Sequence, residues 1–206
     1  MPGLETSIAF FCAALILAMA PGPDNIFVLT QAALFGSRAG VLTTFGLASG
    51  LCVQTAAVAF GVGALIKAWP LAFTLLKIFG AGYLCWLAWL SLRAGATATG
   101  SAEFPGYGAL YRRGIVMNIT NPKVLLFFLA FLPQFCEPGA GPLWLQMIYF
   151  GLLFIIAALL IFIAIALMGA RLALWFNRSA RSQLAMHRLS ALIFLGLAVW
   201  LVCGDI

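Results

Sequence analysis

The sequence predicts an all-α integral membrane protein with six transmembrane helices, arranged as two inverted repeats of three, with helices 1 and 4 broken. Two observations lead to this prediction. Of the 206 residues, 65% are hydrophobic and only 8% are charged, whereas about a quarter of the residues in a soluble domain are charged. In addition, prolines interrupt the first and fourth of six apolar segments. Such a break survives at membrane depth only inside protein or beside a wet cavity.

Six apolar segments can be placed, and all but the last have the ~20 residues that a transmembrane helix needs. They are Thr6–Phe35, Val41–Ile66, Leu71–Leu92, Ile115–Phe135, Leu143–Met168 and Leu189–Cys203. The last one would span only about 22 Å as a helix, so it crosses the membrane if Arg188 snorkels, the bilayer thins or the helix starts earlier; otherwise five crossings remain.

We expect one transport domain over 1–206, with repeat one at about 1–93, a linker at about 94–110 and repeat two at about 111–206.

The first segment breaks at consecutive residues that combine proline, glycine and an acid: Pro21, Gly22, Pro23, Asp24 and Asn25. An ionisable side chain at membrane depth is a functional-site hypothesis by default. The Asp24 carboxylate can take up a proton or bind a substrate ammonium group. It can also cap a half-helix that starts at Asn25, because Asp is a favoured N-cap residue. These two roles are compatible.

The fourth segment breaks at Asn121 and Pro122, directly before Lys123. Lys123 lies about 15 Å along a helix from the arginine pair at the start of this segment, which places it near mid-membrane. Two opposite charges at one depth favour pairing, either in a structural Asp24–Lys123 bridge or in one with which substrate or proton competes. Pro122 leaves the Asn118 carbonyl without its helical donor, so Asn118 and Asn121 are further candidates.

Small residues recur along one face of the second segment, at Gly46, Gly50, Ala57 and Gly61. Residues at this spacing let another helix approach closely, so the face predicts helix packing. Gln54 belongs to the same face and is the one member that we expect to line a substrate pathway.

Charge predicts the orientation of the chain in the membrane. With six crossings, eight arginines fall on one side: Arg38, Arg93, Arg112, Arg113, Arg171, Arg178, Arg181 and Arg188. The opposite side holds Lys67, with Lys77 nearby, and the acids Glu5, Glu137 and Asp205. The positive-inside rule places the arginine side in the cytoplasm and both termini outside.

One acid, one base and two half-helix N-termini best fit a zwitterion, because helix N-termini attract carboxylates. The expected partners are therefore an amino acid, protons and the lipid bilayer, and a homodimer stays open. The formal charge of +6 is read as orientation toward anionic lipid rather than nucleic-acid binding. No nucleophile motif, phosphate loop or zinc spacing occurs, so we expect no enzyme and no cofactor.

Several motifs together resemble the lysine exporter (LysE/RhtB) family of bacterial amino-acid efflux proteins. The matching pieces are Ala20–Asp24, Gly36–Gly40, Gly46–Gly50, Gly80–Leu84, Gly114–Lys123, Phe127–Phe128 and Leu132–Phe135. The resemblance implies a secondary exporter that moves an amino acid or similar metabolite outward, driven by the proton motive force. It also implies that Pro21–Asp24 and Asn121–Lys123 are the family's functional motifs.

Three other functions stay open as alternatives. The wider relatives of the family include cadmium exporters and thiol–disulfide electron carriers. A metal exporter would need more acids or a Cys/His set, and an electron carrier would need two facing cysteines, whereas Cys12 and Cys136 lie beside neither break. A non-transport membrane scaffold would leave the two mid-membrane charges unexplained.

Overall fold

The computed structural model describes residues 2–68, 70–93, 103–177 and 180–203, and these residues form helices and connecting turns without a strand. The helices are α1 (Leu4–Met19), α2 (Pro23–Phe35), α3 (Ser37–Ala68), α4 (Pro70–Arg93), α5 (Tyr107–Ile119), α6 (Pro122–Leu126), α7 (Leu143–Asn177) and α8 (Ala180–Cys203). A π-helical turn (Phe127–Phe131) and a 3-10 turn (Leu132–Phe135) continue α6.

Two helices are long and apolar enough to span a membrane, over Ser37–Gly61 and Leu143–Gly169. Two further candidate spans are bent pairs: α1 with α2, at an angle of 57°, and α5 with the stretch Lys123–Phe135, at 48°. The all-helical class and both predicted breaks are therefore confirmed, with two to four candidate spans by length and composition. Within the residues that the structure describes in full, the apolar stretches of α4 and α8 are shorter, over Ile78–Arg93 and Arg188–Cys203, and the six-helix inverted repeat stays a prediction.

Several helices extend beyond the predicted apolar segments. α7 continues from the predicted end at Met168 to Asn177, and α8 begins at Ala180 instead of Leu189. Hydropathy marks only the part of a helix that suits lipid, whereas Ala, Leu and Arg continue a helix well beyond it. α5 likewise begins at Tyr107, inside the predicted linker. Some predicted features lie outside the described residues: linker positions 94–102, Arg178, Asp205 and the side chains of Lys67, Lys77 and Arg181.

α3 lies at the centre of the fold and packs against α2, α5 and α7, while α1 packs on α7 and α4 pairs with α8. The chain turns from α2 directly into α3 at Gly36, whose φ of 86° favours glycine. The interior beside the second break is aromatic. The rings of Phe127 and Phe131 stack with centroids 4.7 Å apart, and Phe10 contacts Phe150 at 4.7 Å.

Part of the small-residue face of α3 packs as predicted. A side-chain carbon at Gly46 would overlap the backbone of Tyr111, and one at Gly50 would lie 2.8 Å from Cβ of Asn118. These two glycines therefore set the close approach of α3 to α5. The prediction is wrong for the far end of the face, because Ala57 and Gly61 are exposed and nothing lies within 4 Å of a carbon added at Gly61.

The loop after the second broken segment holds the N-terminal end of α1. The Glu137 carboxylate accepts hydrogen bonds from Gly3 N, at 3.1 Å, and from the Thr6 hydroxyl. Gln146 fixes the loop in turn, because its amide accepts from Glu137 N and donates to Glu137 O. The hydrogen bonds from Thr6 and Gly3 hold the pKa of the Glu137 carboxyl below its usual value of 4.5.

Replacing Gly46 by alanine is expected to destabilise the protein, because the added methyl group meets the Tyr111 backbone, which cannot rotate away. Overpacking of this kind costs about 1–3 kcal/mol. Thermal unfolding in detergent, followed by thiol-reactive fluorescence, measures the change. The matched control is Gly61→Ala on the same helix, where the methyl group meets nothing; equal melting temperatures for the two variants would contradict the packing.

Glu137 is expected to stabilise the fold in a pH-dependent way. Because its pKa is lower in the folded state, its contribution is present above the unfolded value near 4.5 and is lost as the pH falls through the folded value. Glu137→Gln should therefore lower the melting temperature at pH 7, and the difference from the wild type should shrink below about pH 4. A difference that is constant with pH would contradict the role of the charge.

Candidate functional site

Each helix break begins its second half with proline at the first helical position. Gly22 is the N-cap of α2 and Pro23 its first residue, while Asn121 is the N-cap of α6 and Pro122 its first residue. Proline is tolerated there because its missing N–H would have no helical partner. The next residue is charged in both breaks: Asp24 in the first and Lys123 in the second. The two breaks thus share one local construction with opposite charges.

Asp24 is buried in the first turn of α2, with 3% of its surface exposed. Its Oδ2 accepts a hydrogen bond from Asn118 Nδ2 at 3.2 Å, whereas its Oδ1 has no partner. The position suits a carboxylate, because the N-terminal end of a helix carries partial positive charge. The predicted N-cap role is wrong: α2 begins one residue before Asp24, and Gly22 caps it without a side-chain hydrogen bond.

Lys123 crosses from the second break to the first. Its Nζ donates to Ala20 O at 2.8 Å and to Leu17 O at 3.0 Å, and it lies 5.3 Å from the centre of the Phe194 ring. In a continuous helix the donor to Leu17 O would be the nitrogen of Pro21, which has no hydrogen; Ala20 N approaches this carbonyl instead, at 3.2 Å. The lysine therefore adds a side-chain donor at the end of α1.

The two buried charges do not form the directly bonded ion pair that their shared depth favoured. Among the described contacts, the Lys123 ammonium is bound by backbone carbonyls and the Asp24 carboxylate by an amide. The charges still interact electrostatically at longer range. Lys123 bonds to the carbonyls at the C-terminal end of α1 because this end of a helix attracts a cation. Gly22 leaves room for the ammonium group, since a side-chain carbon added at Gly22 would lie 3.2 Å from Lys123 Nζ.

At the second break, the side chains of Gln54 and Asn121 form hydrogen bonds with backbone groups, among them the carbonyl of Asn118. Gln54 Nε2 donates to Asn118 O at 2.7 Å, which is the carbonyl that Pro122 leaves without a helical donor, and Asn121 N also donates to it at 2.9 Å. The Asn121 side chain accepts from Lys123 N at 3.0 Å and caps α6. Gln54 thus lies behind Asn118, joining α3 to the break.

At the first break, the Asn25 side chain likewise forms a hydrogen bond with a backbone group. Its Nδ2 donates to Ala18 O at 2.6 Å, so the end of α1 is bonded by side chains from both α2 and α6. Pro21 is half-buried and Pro23 is exposed, and both act through the backbone geometry they impose. With Lys123, these contacts leave the end of α1 well supplied with donors.

One small cavity lies between the breaks. Its volume is about 10 Å³, counted as space open to the centre of a water molecule, which is near the minimum for a single water. Asp24, Asn25, Asn118 and Lys123 line it, whereas Gln54, Asn121, Pro21 and Pro23 are not among its described lining residues. A cavity of this size admits nothing larger than a water molecule.

Four buried polar atoms of the predicted residues have no partner in the described structure: Asp24 Oδ1, Asn118 Oδ1, Gln54 Oε1 and Asn121 Nδ2. An unpaired polar atom in a dry interior costs about 1–3 kcal/mol. Three of the four are acceptors, and they lie on residues that surround the two breaks. Two of these acceptors, Asp24 Oδ1 and Asn118 Oδ1, belong to residues that line the cavity.

The sequence does not reveal the groups that bind Lys123 or the residues that form the cavity wall opposite it. The Leu17 and Ala20 carbonyls are backbone atoms, so no side-chain motif marks them, although the proline after Ala20 signals open carbonyls. Phe194 carries no signal in the sequence, because it is one apolar residue among many in α8. The cavity wall from α7, formed by Phe154, Ala158 and Phe162, is likewise indistinguishable from lipid-facing sequence.

Comparison with known proteins agrees with this architecture. The family model of LysE type translocators matches residues 15–204. A homoserine/homoserine lactone efflux protein of Salmonella typhimurium is 33% identical over 175 residues, covering 84% of both chains. Uncharacterized membrane proteins of Vibrio cholerae and Pseudomonas aeruginosa are 31% and 32% identical; the first alignment covers 92% of both chains, and the second 99% of this chain and 98% of the relative.

No solved structure matches the chain. The family match covers both breaks and nearly the whole length of the chain, and the relatives with assigned descriptions are a membrane efflux protein and membrane proteins. The chain is therefore a membrane efflux transporter that belongs to the LysE type translocator family.

Proposed function

We propose that this transporter exports amino acids or related small metabolites in exchange for protons. The observation that carries the proposal is the pair of opposite charges, Asp24 and Lys123, lining one closed cavity where two helices break. Burying an isolated charge costs several kcal/mol, so two such charges persist at membrane depth only for a strong reason. Substrate and proton binding supply that reason, and the pair lies between two segments that are already discontinuous.

The proposed architecture has six spans in two inverted repeats, with α4 and α8 as the third and sixth. Support comes from the likeness of the two breaks. In each, the carbonyl four residues before a proline receives a side-chain donor from another helix: Leu17 O from Lys123 and Asn118 O from Gln54. Support also comes from the pairing of α4 with α8, since these helices hold corresponding places in the two halves.

The proposed substrate is a zwitterion. Asp24 Oδ1, buried and without a partner, offers an acceptor to an ammonium group, while the N-terminal end of α2 attracts a carboxylate. The efflux relative from Salmonella typhimurium is described as acting on homoserine and homoserine lactone, which makes homoserine the first compound to test. Because the closed cavity has room for about one water, transport requires the two broken segments to separate alternately toward each side.

The proposed site in full comprises Pro21, Gly22, Pro23, Asp24, Asn25, Gln54, Asn118, Asn121, Pro122 and Lys123. Within it, Asp24 and Lys123 bear the charges, and the remaining residues shape the breaks or satisfy their open backbone groups. The arginine-rich ends of the helices are proposed to face the cytoplasm of a bacterial cell, and both termini the outside. A homodimer is compatible with the exposed apolar faces of α4 and α8.

Asp24→Asn and Lys123→Ala are each expected to reduce pH-gradient-driven efflux of a transported amino acid at least about tenfold, a loss of roughly 1.4 kcal/mol of coupling. Efflux from loaded cells, compared at matched membrane abundance, measures it, with L-homoserine tested first in a panel of amino acids. The matched control is Arg112→Gln, which removes an exposed charge from α5. Wild-type efflux in both variants would refute the proposed mechanism.

The proposed topology is tested separately. Green fluorescent protein fused after Ile206 should stay dark and alkaline phosphatase fused there should be active, because the C-terminus is expected outside the cytoplasm. A fusion truncated within the linker at 94–102 should show the reverse pattern. Fluorescence from the C-terminal fusion would indicate an odd number of crossings or the opposite orientation.

A further inference from the structure

We infer that Lys123, rather than Asp24, carries the coupling proton, and that the substrate ammonium group replaces the Lys123 charge beside Asp24. This inference rests on the proposed exchange of a zwitterionic amino acid for a proton. It assigns different ligands to the two buried charges: the proton to the Lys123 amine and the substrate cation to the Asp24 carboxylate.

The contacts of Lys123 are those of a protonated amine held by neutral groups. An ammonium group has three N–H donors and no acceptor, and Nζ meets Leu17 O at 3.0 Å, Ala20 O at 2.8 Å and the face of Phe194. A positive charge strengthens all three contacts. Loss of the proton weakens them together and releases the end of α1 from α6.

In this inference Asp24 is an ionised carboxylate that accepts hydrogen bonds. Its Oδ2 accepts from an amide donor, and no described acceptor receives an O–H from either oxygen. The carboxylate is 3% exposed, yet Oδ1 has no partner. An ammonium group that enters the cavity supplies the donor that Oδ1 lacks, so Asp24 can hold the substrate without releasing a proton.

The charges around Lys123 allow either the proton on Lys123 or the substrate ammonium group at Asp24, but not both together. Asp24 is the titratable residue that lines the cavity with it, and α1, α5, α7 and α8 contribute carbonyls, the Asn118 amide and apolar or aromatic side chains. One carboxylate balances one cation. A substrate ammonium group at Asp24 beside a protonated Lys123 would place two cations against one carboxylate, where a low surrounding dielectric screens their repulsion weakly.

The exchange of substrate for proton follows from this pairing of one carboxylate with one cation. As the substrate ammonium group binds Asp24 from the cytoplasm, the Lys123 N–H bond breaks and the proton leaves to the cytoplasm. After the substrate departs on the outer side, a proton from outside forms a new N–H bond at Nζ, and the ammonium group returns to the Leu17 and Ala20 carbonyls. One proton enters for each substrate exported.

Reconstituted vesicles test the assignment with radiolabelled L-homoserine, or the panel amino acid that the wild type moves fastest. With the membrane potential held at zero, a one-unit pH gradient should give wild-type protein an accumulation ratio of about ten, as one proton per substrate requires. Lys123→Met should exchange labelled for unlabelled substrate, more slowly, but its accumulation ratio should fall to about one. Arg112→Gln is the control for removal of a positive charge.

An accumulation ratio near ten in Lys123→Met would overturn the inference and leave the proposed function standing. Absence of any pH-driven flux in wild-type vesicles, across the whole panel, would instead overturn the proposed function on which the inference rests. The two failures are therefore distinguishable.

A second measurement avoids the lysine variant in case it does not fold. Asp205→Asn leaves Asp24 as the only aspartate in the chain. Infrared difference spectra of this protein, labelled with carbon-13 aspartate, should show no protonated-carboxyl band that vanishes when the same amino acid binds. A vanishing band that shifts with the label would assign the proton to Asp24 and overturn the inference.

Discussion

The hydrogen bonds from Lys123 to the open carbonyls at the end of α1 are the interaction on which the rest of the site depends. Pro21 removes the donor that Leu17 O would use in a continuous helix, and lipid offers no water as a replacement. An ammonium group from the other broken segment fills the gap at 3.0 Å. The second break therefore contributes directly to the hydrogen bonding of the first.

The dependence also runs in the opposite direction. Asn118, in the last turn before the second break, donates to Asp24 at the start of α2, and its own carbonyl is satisfied by Gln54 from α3. The second break is thus bonded both to the first break, through Asn118 and Lys123, and to the central helix, through Gln54. The small residues Gly22 and Gly50 make this interlocking possible, because a side-chain carbon at either position would crowd Lys123 or Asn118.

The sequence predicts the coarse fold and the identity of the buried polar residues, because prolines and charges inside apolar segments are unusual. It predicts the packing of Gly46 and Gly50 for the same reason, since small residues at helical spacing are a strong pattern. It does not predict which groups bond to each other. Shared depth favoured a direct Asp24–Lys123 pair, but a flexible lysine chain reaches whichever acceptors lie at its end. Partners such as the Ala20 carbonyl and the Phe194 ring have no signature in one-dimensional sequence.

The hydrogen bonds that Glu137 accepts from the start of α1 have a mechanical consequence when they are considered together with those of Lys123. α1 is fastened near its N-terminus by Glu137 and at its C-terminus by Lys123, and both residues belong to one short stretch of chain that includes the π-helical turn. Two anchor points define the orientation of a rod far better than one. We therefore expect α1 and this stretch to move together, with Pro21 and Gly22 forming the joint to α2.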